Sequence, residues 1–219
     1  MITKCPETEM LLEYSAGSMQ LAPSIAVTAH LNFCDACAAT SKSLQDIGGH
    51  LLDQHCEEIS DELLDDIFSR IDEPESQSQH SCKKDVACQD AIANQLPPFV
   101  SGLLPQSLKW RKLSPSLRAA PINVGERRYE LALHKIDAGG KVPDHDHRGQ
   151  EITVVLKGSF SDEDGVYQPG DFLVREPGES HRPMAAQNDD CICLSVLEAP
   201  IKLKGLKSVL NPFLSFSPS

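Results

Sequence analysis

Gly139-Gly-Lys-Val-Pro-Asp-His145-Asp-His147-Arg-Gly-Gln-Glu151-Ile-Thr-Val-Val-Leu-Lys-Gly158 decides how the second half of this chain folds. His145 and His147 flank Asp146, so on an extended strand both imidazoles point to the same side. Glu151 follows after a short bend, and His181 arrives later beside the turn Pro177-Gly178. Three neutral nitrogens and one carboxylate suit a borderline divalent ion such as zinc, iron, manganese or nickel. Set between two glycines, this spacing is too specific for histidines scattered on a surface turn.

On either side of the stretch the periodicity is that of strands. Tyr129–Ile136 and Cys191–Leu197 are short strand-like runs, and Gly139-Gly140, Asp162–Gly165, Pro169–Asp171 and Pro177-Gly178 punctuate them. Many short strands with Gly/Pro turns predict an antiparallel sandwich or barrel. The first 70 residues read as helices instead. One spans Thr8–Tyr14 and ends near Gly17; a second, Pro23–Leu31, has proline in its first turn; a third runs from Cys34 to Ile47 and stops at Gly48-Gly49. The clearest is Ser60–Ile71, capped by Ser60, with Leu63, Leu64, Ile67, Phe68 and Ile71 in one stripe.

The polar run after Asp72 reads as a linker. The expected fold is therefore α + β in two domains. Residues 1–80 form a small helical bundle, 81–100 a linker and lead-in, 101–200 an antiparallel β-barrel of the jelly-roll type, and 201–219 a tail. The length of 219 residues fits two domains. No apolar run is long enough to span a membrane, and Met1–Glu7 lacks the apolar core of a signal peptide, which points to the cytoplasm. In a reducing compartment the eight cysteines read as metal ligands or free thiols.

The net charge of −12 lies entirely in residues 1–80, which hold three Lys/Arg against fifteen Asp/Glu. Such a domain repels nucleic acid, which argues against a zinc-finger DNA binder, and attracts a basic protein partner. The same domain contains His30-Leu-Asn-Phe-Cys34-Asp-Ala-Cys37. Cys34 and Cys37, three apart at a helix start, can turn both sulfurs to one ion, and His30 can reach it from the preceding helix. A structural zinc site needs a fourth ligand. Cys5 is the candidate, because the N-terminal segment can pack beside the Cys34 turn; Cys56 and His55 are rivals on spacing alone.

His-x3-Cys-x2-Cys in a small acidic helical domain resembles the zinc-binding anti-sigma domain. That family's domain wraps an extracytoplasmic-function (group IV) sigma factor and covers its polymerase-binding surface. Its fourth ligand is usually an N-terminal histidine, and Cys5 stands at the matching position here. By the same resemblance the helix Ser60–Ile71 inserts between the two sigma domains. The spacing around His145, His147 and Glu151 matches the first cupin motif. The second cupin motif matches in part: Gly170, Pro177, Gly178 and His181 are present, but the proline is one place late and no Asn lies four residues after His181.

An anti-sigma domain followed by a cupin resembles the ChrR family, whose members hold such a sigma factor inactive and release it in response to singlet oxygen or related oxidants. The resemblance implies Zn2+ at His30, Cys34 and Cys37, and Zn2+ or another divalent metal at His145, His147, Glu151 and His181. Cys191 and Cys193 match a Cys-x-Cys pair of that cupin and are candidates for oxidation. The alternative reading is a cupin metalloenzyme, a dioxygenase or isomerase, with a zinc-stabilised appendage. A homodimer through the barrel is compatible with either.

Overall fold

The structure is a computed structural model that describes residues 2–54, 60–72 and 88–203. His55, Cys56 and Cys82 lie outside the described residues. Three helices open the chain: α1 (Thr8–Ser15), α2 (Leu21–Leu31) and α3 (Asp35–Asp53). The third is longer than its glycines suggest. It runs through Gly48 and Gly49, because two helical glycines cost only about 1 kcal/mol each and nothing forces the chain to turn there. On either side of them Ile47, Leu51 and Leu52 are exposed. Helix α4 (Asp61–Asp72) begins where expected, with the Leu63 N–H donating to Ser60 Oγ at 3.3 Å. All five of its apolar side chains, Leu63, Leu64, Ile67, Phe68 and Ile71, are exposed.

After the short helix α5 (Pro98–Leu103) come twelve strands: β1 (Arg111–Lys112), β2 (Leu117–Pro121), β3 (Glu130–Ile136), β4 (His145–His147), β5 (Glu151–Lys157), β6 (Phe160–Ser161), β7 (Val166–Tyr167), β8 (Phe172–Arg175), β9 (Ser180–His181), β10 (Met184–Ala185), β11 (Cys191–Leu197) and β12 (Ile201–Leu203). They are antiparallel but do not close into one barrel. Hydrogen bonding forms a six-stranded sheet in the order β1-β2-β3-β11-β5-β8 and two three-stranded sheets, β10-β6-β7 and β12-β4-β9. Most strands of the small sheets are two or three residues long. Glycine turns cut them off before their ladders can join the large sheet.

The centre of the six-stranded sheet is buried on both faces, as β11 shows. Its Ile192, Leu194 and Val196 face one core cluster together with Leu11, Ile25, Val27 and Ala29 of the helices. Cys191 and Cys193, on the opposite side of the pleat, belong to a second cluster with Phe160, Tyr167 and Leu173. Helix α2 therefore lies across β5 and β11. The helical and β parts share one apolar layer.

Candidate metal centres

Cys5, His30, Cys34 and Cys37 converge, with one ligand atom from each within 4.8 Å of the others. Cys34 is the residue just before α3, Cys37 sits in its first turn, and His30 lies at the end of α2. Cys5 comes from the N-terminal arm, and its sulfur is 3.9 Å from that of Cys34. Tetrahedral thiolates at a Zn–S distance of about 2.3 Å sit about 3.8 Å apart, so the spacing suits zinc. His30 is fully buried, and its Nδ1–H donates to the Gly170 carbonyl at 2.6 Å. Its Nε2, also buried, has no hydrogen-bond partner. A buried nitrogen lone pair left over while the other ring nitrogen is fixed by a carbonyl is the arrangement of a metal-ligating histidine.

The thiols point the same way. Burial and the neighbouring thiols push Cys37 up to about 12. Burial also resists ionisation of Cys34, but hydrogen bonds from Cys37, Cys5 and Ala36 outweigh it and leave its pKa lowered. Without a cation only one of the crowded sulfurs ionises readily; a cation removes that conflict. This cluster could hold a zinc ion.

One turn of the β part secures two of these four residues. Gly170 accepts from His30, and the buried Asp171 carboxylate accepts from the N–H groups of Thr3, Lys4 and Gln168 and from the Thr3 hydroxyl. The Phe172 N–H donates in return to the Lys4 carbonyl at 3.0 Å, which fixes the arm just before Cys5. Gly170 has φ +94°, and a Cβ there would lie 2.7 Å from Phe33 Cβ and 2.9 Å from Ile2, so only glycine fits. The sequence marks Pro169-Gly170-Asp171 only as a turn; its grip on residues 168 positions away carries no local signal.

His145, His147, Glu151 and His181 converge as a second cluster. His145 and His147 point inward from β4, His181 pairs opposite His145 from β9, and Glu151 opens β5. All four are buried and meet within the same 4.8 Å limit. The His181 Nε2 lies 3.1 Å from His145 Nε2 and 3.3 Å from His147 Nε2, while Glu151 Oε2 is 3.3 Å from His147 Nδ1. The His145 Nδ1–H donates to the Pro143 carbonyl at 2.9 Å, and the His181 Nδ1–H donates to Asp162 at 3.2 Å. Their Nε2 atoms are thus two lone pairs facing each other at 3.1 Å. A cation between them turns that repulsion into coordination, so the residues fit a divalent ion.

Asp162, Tyr167 and Arg175 complete this centre, and the sequence reading does not include them. Arg175 binds Asp162 at 2.7 Å and the Tyr167 hydroxyl donates to the same carboxylate at 2.9 Å. They hold the acceptor that orients His181. Their signal lies in the fold alone, since they approach His181 from the turn after β6, from β7 and from β8.

Burial lowers the pKa of His145 to about 4, of His147 to about 3 and of His134, on β3 nearby, to about 4. Burial raises Glu151 to about 7. For each histidine the unfolded chain binds the proton first, so stability is present above pH 6.5 and is lost as pH falls toward the folded value. Between pH 6.5 and 5 that amounts to about 2 kcal/mol per histidine, while Glu151 gains about as much in the opposite direction. Three histidines outweigh one carboxylate. Chemical denaturation of a chain that holds zinc at the cysteine cluster alone should therefore show a stability lower by about 3 kcal/mol at pH 5 than at pH 6.5; equal stabilities at the two pH values would contradict this.

Residues 103–199 match the family model described as the ChrR cupin-like domain. The anti-sigma-E factor ChrR of Cereibacter sphaeroides is 30% identical over 206 residues, covering 93% of this chain and 94% of that protein. The crystal structure of Rhodobacter sphaeroides SigE in complex with the anti-sigma ChrR matches with a TM-score of 0.70 at 29% identity, over 90% of this chain and 99% of the matched one. The two four-residue clusters, the cupin-like sheets and an alignment that runs nearly end to end lead to one assignment: the chain belongs to the ChrR family of anti-sigma factors.

Proposed function

We propose that this protein is a zinc-dependent anti-sigma factor of the cytoplasm that binds and inhibits an extracytoplasmic-function sigma factor. Residues 1–80 are the anti-sigma domain, 81–100 a lead-in, 101–200 the cupin domain and 201–219 a tail. Zinc at Cys5, His30, Cys34 and Cys37 holds the first domain, and a divalent metal at His145, His147, Glu151 and His181 holds the second. The observation that carries the reading is α4, whose whole apolar stripe is exposed in a chain that covers both faces of its main sheet at the centre. A stripe of that kind is an interaction surface, and the matched ChrR structure is a complex with a sigma factor. None of the described helices is long and apolar enough to cross a membrane.

The cupin region is read as the sensor of an oxidative signal and not as an enzyme. Cys193 favours reception at the metal or in the space beside it. Its thiol pKa is raised well above the ordinary value by its bond with Cys191 and by burial, which leaves little reactive thiolate. The sulfurs of Cys191 and Cys193 are 3.7 Å apart and both are free.

The test is co-purification of the full chain with the extracytoplasmic-function sigma factor of its own genome, followed by transcription assays with the reconstituted pair. Wild type should bind and inhibit. Leu64→Asp with Phe68→Asp should weaken binding at least about a hundredfold, since each buried apolar anchor contributes about 1.5–3 kcal/mol. Equal inhibition by the variant would remove α4 from the interface, and no binding by wild type would sink the reading.

A further inference from the structure

The inward face of the six-stranded sheet bounds a cavity of about 150 Å3. Its cross-strand register sorts the wall into an apolar and a polar end. Leu117 and Ile136 lie side by side at one end, and His134 is opposite Ala119 in the next row. Ser195 then lies beside Thr153, and Leu197 beside Glu151. The facing wall brings His145, His181, Val142 and Phe160. In the polar part the buried Ser195 Oγ lies 3.0 Å from His134 Nδ1, and neither residue belongs to a metal cluster. The interior thus offers a greasy compartment, one neutral hydrogen-bonding pair and a metal centre in sequence.

Size and charge define what fits. An engineered protein cavity of comparable volume admits benzene, so the occupant has roughly six to nine non-hydrogen atoms. A divalent ion held by the Glu151 carboxylate and three neutral imidazoles leaves one positive charge buried and uncompensated. Burial and the nearby His145 keep His134 neutral, so it adds nothing to that count. Arg111 and Glu130 also line the space, and their opposite charges offset one another. Selection by charge falls to the metal end.

We propose that this cavity binds a small amphipathic monoanion, of the class of short-chain or aromatic carboxylates. Its apolar body rests against Leu117, Ile136 and Val142, and its head lies between the metal centre and the His134–Ser195 pair. The inference deepens the sensory reading of the cupin and rests on it: such a molecule reaches the metal past Cys193, which lines the same cavity beside His134.

Calorimetric titration of the zinc-loaded full chain, without any sigma factor, tests it with hexanoate and hexan-1-ol as probes. Hexanoate should bind one to one and roughly tenfold or more tighter than the alcohol, because only the acid neutralises the metal end. Ser195→Ala should weaken hexanoate by roughly two- to tenfold while zinc content stays as in wild type. Ala119→Phe, which fills the cavity, should abolish binding. Equal affinity for acid and alcohol would overturn the anionic class, and no saturable binding of hexanoate would overturn the site. If Ala119→Phe fails to fold, hexanoate binding that is indifferent to Ser195→Ala is the overturning result. Binding of hexanoate by a chain that captures no sigma factor would support the site and refute the anti-sigma reading instead, so the two fail separately.

Discussion

A chain carrying Cys34→Ala and Cys37→Ala is expected to lose the first metal centre and, with it, the packing of α1 to α3. Structural zinc contributes about 10–16 kcal/mol of apparent folding free energy in small zinc domains. Whole domains are stable by only about 5–15 kcal/mol, so the loss is of the same order as everything that holds the fold. The apolar layer at this point is thin: Leu11, Ile25 and Val27 supply its bulk, and Ala22, Ala26 and Ala29 the rest. Because α2 lies on β5 and β11, its loosening also uncovers Ile152, Ile192 and Leu194. The damage should therefore reach the sheet. Hydrogen exchange should show lost protection in α1 to α3 and raised exchange in β11, together with one zinc fewer per chain and no capture of the sigma factor. Native-like protection with one zinc fewer would make that metal dispensable to the fold.

Asp171→Ala should have the next largest effect, although Asp171 touches no metal. Its carboxylate is the acceptor for three N–H groups and a hydroxyl, and removing it strands the Thr3, Lys4 and Gln168 donors. The three donors are only partly buried, so loss of their shared acceptor is expected to cost about 2–3 kcal/mol in all. The arm that carries Cys5 would also come loose. Zinc competition with a chelator should then show at least about a tenfold weaker first site. Asp171→Asn, which retains one carbonyl oxygen, should fall between the two. A thermal transition unchanged in Asp171→Ala would show that the arm is held by other contacts.

The local parts of both candidate clusters were legible in the sequence. His145 and His147 alternate on one strand, and Cys34 and Cys37 share one helical turn, so spacing alone places their side chains. Cys5 was legible only as one of three candidates. What brings it to Cys34 is the pairing of Lys4 with Phe172, a contact that no short-range pattern encodes. The outer groups of the second centre were hidden for the same reason, since Asp162 comes from the turn after β6 and Tyr167 and Arg175 from β7 and β8.

Strand periodicity was legible, but closure was not. Whether short antiparallel strands join into a barrel depends on ladders between β6, β10 and the large sheet, which the Gly158 and Gly165 turns interrupt. The α3 glycines misled for a related reason. A glycine ends a helix when the next residues have somewhere to go, and Leu51 and Leu52 meet no core that would draw the chain aside.

Helix α4 leaves five apolar side chains in water, a standing invitation to self-association. The same helix carries Asp61, Glu62, Asp65 and Asp66, and residues 1–80 hold all of the protein's excess negative charge. In colloidal terms the stripe is shielded by the repulsion that two copies feel as they approach, a force with a reach of about 8 Å at physiological ionic strength. A basic partner feels the opposite force over the same range. Added salt thus slows the right encounter and permits the wrong one.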